Sequence, residues 1–138
     1  MKPTAIFLPA LLLMFWTLTV LLQVPIRRVK AVMQQRLTPQ DFSHGESSLV
    51  PPDVALPNRI FMNLVEVPVL FYAVVFMIHL SNLVNEVTVA LAWVYVVLRF
   101  VHSGIYFTYN HVAHRALVFG SSNVIVSVMI CYVAYHLV

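Results

Sequence analysis

The chain has 138 residues, 61% of them hydrophobic and only 9% charged, with a net charge of +3 and a mean hydropathy of +0.88. A soluble domain carries about 25% charged residues, so this composition belongs to an integral membrane protein. One cysteine rules out disulfide frameworks, cysteine-rich metal sites and dithiol relays within a chain. Three glycines leave no material for a phosphate loop, and no basic run with interleaved aromatics points to nucleic acid.

Between Lys2 and Arg27 there is no charge. A span needs roughly 20 apolar residues, so a first membrane helix is predicted over about 5–26. Lys2 before an apolar run also fits a signal peptide, but no small-x-small cleavage site follows, and "RRVK" reads as a stop-transfer signal. Residues 27–58 differ in kind. They hold Arg27, Arg28, Lys30, Arg36, Asp41, Glu46 and Asp53, and their prolines 39, 51, 52 and 57 argue against a continuous helix. A second span is predicted over about 59–82. Pro68 lies inside it and is tolerated where a neighbouring helix satisfies the freed backbone. "NLVNE" (82–86) makes a turn, a third span covers about 87–109, "NHVAHR" (110–115) turns again, and a fourth fills 116–138.

The predicted fold is a single all-α membrane domain, a four-transmembrane-helix bundle with one long and two short connections. The long loop and the turn at 110–115 share a side that holds Arg27, Arg28, Lys30, Arg36, Arg59 and Arg115. The opposite side holds Lys2 and Glu86. The positive-inside rule then puts the basic side in the cytoplasm.

Topology gives depth. At 1.5 Å per residue, Asn63 and Glu66 lie roughly 6 and 10 Å inward from Arg59, and Arg99 about 15 Å from the exit of the third span. Arg59, Asn63 and Glu66 share a stripe, and Arg99, His102, Ser103, Tyr106, Tyr109 and Asn110 form a polar face on the third span. Two polar stripes at one depth predict a cavity open on the basic side, with Glu66 and Arg99 as an ion pair. A purely structural pair is the bland alternative. Ionisable residues at membrane depth default to function, however, because their desolvation is costly. Arg59, Arg99 and Arg115 converge with only Glu66 in reach. The implied ligand therefore carries more than one carboxylate, which arginine forks grip bidentately, and an ammonium for Glu66.

His79 and His136 are isolated, and His102, His111 and His114 lack a carboxylate or thiolate at helical spacing, so no metal is expected. Trp16, Trp93 and Cys131 read as packing residues. Ser121, Ser122, Asn123 and Ser127 mark the protein-facing side of the fourth span. Four short helices are few to enclose a cavity, which points to an oligomer with sites between subunits.

"RIFMNLVEVPVLFY" has the form R-x-x-x-N-x-x-E followed by a proline. "RFVHSGIYFTYNHVAHR" sets His102, Tyr106 and Arg115 at fixed steps after Arg99, and "RRVKAVMQQRLTPQDF" is a basic exit from the first span. Over about 20–135 these motifs resemble the MAPEG family, membrane-associated proteins in eicosanoid and glutathione metabolism, in its small bacterial branch. The resemblance implies a homotrimer in a bacterial inner membrane, with glutathione as co-substrate held between neighbours. Arg59, Asn63, Glu66, Arg99, His102 and Tyr106 would bind it. Lys30 would join them from the position where the family usually has an arginine. Glu66 would take the γ-glutamyl ammonium, and Arg115 would be the catalytic residue, favouring thiolate over thiol. The second substrate would be a lipophilic electrophile or hydroperoxide arriving through membrane lipid.

Ala116 stands where the prostaglandin-forming branch has a serine, and Phe119 where it has an aromatic hydroxyl. These departures leave conjugation or peroxide reduction as the implied reactions of a transferase or peroxidase. Asp41 matches an aspartate given a role in some relatives and also fits a helix cap. Two other functions compete: a non-catalytic, lipid-binding or regulatory relative, and a small multidrug transporter. The transporter would place its glutamate in the first span, which is uncharged here.

Overall fold

Long apolar runs with few internal charges suit helices, which satisfy every backbone polar group inside a bilayer within the segment itself. The computed structural model, which describes residues 2–43 and 48–137, builds them so: the described residues are helices, turns and connections, with no strand. Helix α1 runs Phe7–Met33, α2 Pro52–Glu66, α3 Pro68–Leu80, α4 Glu86–Phe107 and α5 Val112–Leu137. They make four stretches long and apolar enough to cross a membrane, with α2 and α3 sharing one. α1 packs along α2, α4 packs along α5, and contacts of α1 with α4 and of α3 with α5 close the bundle.

Several boundaries differ from the sequence expectation, each for a local reason. α1 does not stop at residue 26; the basic segment continues as helix to Met33. It ends where Gln35 turns left-handed at φ 55°, with Gln35 N–H donating to Val32 O and Arg36 N–H to Ala31 O. This is the Schellman closure, which satisfies the last carbonyls. Asn82 (φ 57°) and Asn110 (φ 48°) close α3 and α4 at the same kind of left-handed residue. α2 begins earlier than expected because Pro52 sits at its first position, where no N–H is needed. Pro57 lies inside α2, and the Asp53 carbonyl it cannot serve accepts from Arg27 Nη1 at 2.8 Å. Pro68 breaks the second span outright, so α2 ends at Glu66 and α3 starts afresh.

The apolar core is built around Leu13, Ile60, Leu64, Phe71, Ile78, Tyr95, Val96 and Met129, all essentially inaccessible. Tyr95 stacks on Phe71 with ring centroids 4.3 Å apart. A smaller cluster of Ala31, Leu37, Val50, Val54 and Ala55 pins the long connection to the basic end. On α5 only Ser122 of the four expected inward-facing polar residues is buried. Asn123 is half-buried, while Ser121 and Ser127 are exposed. Their hydroxyls bond back to carbonyls on their own helix instead. Cys131, expected as packing, is also exposed.

Candidate active site

The site lies where the end of α2 meets the last turns of α4 and the first turn of α5. α2 stops at Glu66, so the carbonyls of its last turn, Asn63 among them, need partners from elsewhere. Arg99 supplies one: it is fully buried, and its Nη2 donates to Asn63 O. The broken helix and the buried arginine thus explain each other, because a cation at a helix C-terminus meets both its free carbonyls and the negative end of its dipole. Arg99 also lies over the Phe119 ring at 5.3 Å, and Ser103 Oγ donates to its backbone carbonyl. Its Nε and Nη1 are buried with no hydrogen-bond partner among the described residues.

Arg115 belongs to α5, whose helix begins at Val112, before the expected turn has run its length. Its guanidinium is held by two contacts. Nη1 donates to Asn110 Oδ1 at 2.7 Å, and the cation sits 4.0 Å from the centroid of the Tyr106 ring. Its Nε is buried and unpartnered among the described residues. Asn63 Nδ2 donates to Arg59 O at 2.8 Å and lies 3.5 Å from Tyr106 Oη. His102 is buried against the Tyr106 and Phe119 rings, with centroids 5.3 and 5.7 Å away.

Asn63, His102, Tyr106, Arg115, Ala116 and Phe119 line a cavity of about 160 Å³. Of the residues singled out from the sequence, Asn63, His102, Tyr106 and Arg115 therefore meet in one cleft, and Arg99 lies behind it. The other three are placed differently. Arg59 and Glu66 are exposed on the outer face of α2, on either side of half-buried Asn63. Glu66 makes no ion pair with Arg99 among the described residues, contrary to the expected pairing. The reason is rotation: three residues advance a helix by about 300°, which turns Glu66 out of the bundle while Asn63 stays at its edge. Lys30 lies apart, on a separate cavity at the end of α1 with Arg27, Gln34, Arg36 and Asp53.

Asn110 as the anchor of Arg115, and Phe119 as the ring under Arg99, were not anticipated in these roles. Asn110 is five residues before Arg115, across a turn, a spacing no helical stripe reports. Asp41 resolves as a local cap: its Oδ2 accepts from Thr38 N–H at 2.7 Å and from Thr38 Oγ1 at 3.0 Å. His79 is a helix contact, its Nδ1 3.2 Å from Pro3 O, and His111 and His114 stack on each other at 4.6 Å.

The MAPEG family model matches residues 6–135. The chain belongs to the MAPEG family. Together with four helices long and apolar enough to cross a bilayer, membership makes this an integral, multi-pass membrane protein. The MAPEG family includes glutathione-dependent transferases and peroxidases as well as non-catalytic members. No curated protein and no solved structure matches the chain.

Proposed function

We propose that this MAPEG protein is a glutathione-dependent transferase or peroxidase acting on a lipophilic electrophile or hydroperoxide from the bilayer. The observation that carries the proposal is Arg115: a half-buried guanidinium, clamped by Asn110 and Tyr106, with its Nε left unpartnered beside Asn63 and His102. A buried donor without an acceptor costs free energy unless a ligand completes it. A cation there lowers the free energy of a thiolate relative to a thiol, and the thiolate is the nucleophile.

In conjugation the sulfur lone pair forms a carbon–sulfur bond while the electrophile's leaving group departs with its electron pair. In peroxide reduction the sulfur attacks one peroxide oxygen, the O–O bond breaks, and the alkoxide leaves and takes a proton as the alcohol. A second glutathione thiolate then forms the S–S bond of the disulfide as the sulfenic S–O bond breaks and hydroxide leaves as water. In both, Arg115 stabilises the sulfur anion, while Asn63, Tyr106 and His102 orient the peptide.

The cleft on one chain, at about 160 Å³, falls below the roughly 300 Å³ at which pockets for small organic ligands begin. A carboxylate exposed on a membrane-crossing helix, as Glu66 is, also needs a partner from outside the chain. Both features favour a homotrimer in which a neighbouring subunit completes the glutathione site over Arg59 and Glu66, with Glu66 receiving the γ-glutamyl ammonium. Lys30 lines its own cavity in a single chain, and in this reading it joins the glutathione site from the neighbouring subunit. The excess of arginine and lysine at that end favours a cytoplasmic active site.

Calorimetry on the detergent-purified protein tests the reading. Glutathione binds at millimolar concentration or below, and turnover of a lipophilic electrophile or a lipid hydroperoxide depends on it. No binding at millimolar glutathione removes the enzyme.

A further inference from the structure

Arg115 rests on uncharged supports. Asn110 Oδ1 accepts from its Nη1 at 2.7 Å, and the Tyr106 ring lies beside it with the centroid 4.0 Å away. No carboxylate forms an ion pair with it among the described residues. A carboxylate in place of the amide would hold the guanidinium more strongly, through a charge-assisted bond. It would also cancel the charge. The amide fixes the same edge of the planar group and leaves the charge whole.

The turn before α5 is built to keep that amide in place. Asn110 is left-handed at φ 48°, a conformation that glycine, asparagine and aspartate tolerate best. Its N–H donates to Ile105 O at 2.8 Å and closes α4, so the backbone that carries the amide is itself anchored. Tyr109 Oη lies 3.1 Å from His114 Nδ1, a second five-residue clasp beside the one between Asn110 and Arg115. A glycine would close the helix without holding Arg115, and an aspartate would hold Arg115 and neutralise it. Of the three, only asparagine closes the turn, anchors the cation and keeps it charged.

We propose that Asn110 is a positioning residue for the thiol chemistry. It fixes the orientation of Arg115 with a neutral oxygen, so that the guanidinium keeps its whole charge for the thiolate. This role rests on the glutathione reading of the cleft. It has two separable parts, orientation and neutrality. Losing either weakens the field of Arg115 at the sulfur, and an opposite charge a few ångströms away is what holds an acid's pKa down.

Two variants and two readouts test it on the full chain in detergent micelles. Without glutathione, arginine side-chain NMR reports the order of the Arg115 Nε–H, with its signal assigned from Arg115→Lys. With glutathione, the ultraviolet thiolate absorbance is titrated against pH. Asn110→Gly keeps the turn. It is expected to loosen Arg115 and to raise the pKa of the bound thiol by about one unit, a roughly tenfold loss of thiolate at a given pH. In turnover, kcat falls about tenfold while KM for glutathione changes less than about twofold. Asn110→Asp is expected to keep Arg115 ordered and still raise that pKa by about one unit. A bound-thiol pKa unmoved in either variant overturns the proposal, as does an Arg115 equally ordered in Asn110→Gly. A merely structural asparagine would lower the unfolding temperature in Asn110→Gly and leave the thiol pKa in place. An unsubstituted chain that forms no bound thiolate removes the glutathione reading and this role with it, whereas a thiolate untouched by Asn110→Gly removes this role alone.

Discussion

The two ends of the bundle use polar residues in opposite ways. At the end where α3 turns into α4, every polar group named here is closed. Asn85 Oδ1 accepts from Thr88 N–H and Thr88 Oγ1 accepts from Asn85 N–H, both at 2.9 Å, while Asn85 Nδ2 donates to Tyr132 Oη at 2.8 Å. At the other end Arg99 and Arg115 are packed among aromatic rings with three guanidinium nitrogens buried and unpartnered among the described residues. Both ends look polar in sequence. The difference is that one set satisfies itself, as a structural cap does, whereas the other leaves buried donors without an acceptor among the described residues, next to a cleft. Under the proposed function, that cleft is where the ligand binds.

Substitutions can break or sharpen this contrast. The largest effect is expected from Arg99→Ala, which strands the Asn63 carbonyl at the end of α2 and opens a void under Phe119. It should lower stability by about 3–5 kcal/mol, read by thermal unfolding in detergent. A neutral result would separate the broken helix from the buried arginine. Next comes Arg115→Ala. Turnover with glutathione should fall about 100-fold, roughly 2.7 kcal/mol, with the thiolate absorbance lost and binding largely retained. An unchanged rate would move the chemistry elsewhere.

At the opposite end, Asn85→Ala should cost about 1 kcal/mol of stability through the lost cap and leave glutathione affinity untouched. A fall in affinity would erase the distinction between the ends. The smallest effect on the fold is expected from Glu66→Ala. Because Glu66 faces outward and makes no ion pair with Arg99, chain stability should change by less than about 0.5 kcal/mol. Its consequence should appear instead in trimer retention and glutathione affinity, measured by native mass spectrometry and calorimetry. A drop in monomer stability of several kcal/mol would restore the intrachain pair.

What the sequence by itself determined is the membrane class, the four crossing stretches, and the polar stripes of the second and third. These follow from local physics. Runs of about 20 or more mostly apolar residues favour helices in hydrocarbon, and helical spacing alone says that Asn63 sits near Glu66 and that His102 and Tyr106 sit along one face from Arg99. The motifs around Glu66 and Arg99 pointed to the family that the match over residues 6–135 establishes.

Only the tertiary structure decided how each helix is rotated about its axis and which groups its neighbours left open. It turned Glu66 outward and set Arg99 against the Asn63 carbonyl rather than a carboxylate. It anchored Arg115 on Asn110, and it carried α1 on to Met33, with Lys30 lining a cavity other than the cleft of its own chain. A stripe is a property of one helix, but a partner is a property of two. Rotations of a few tens of degrees, set by packing and by the break at Pro68, lie beyond what spacing along one chain can report.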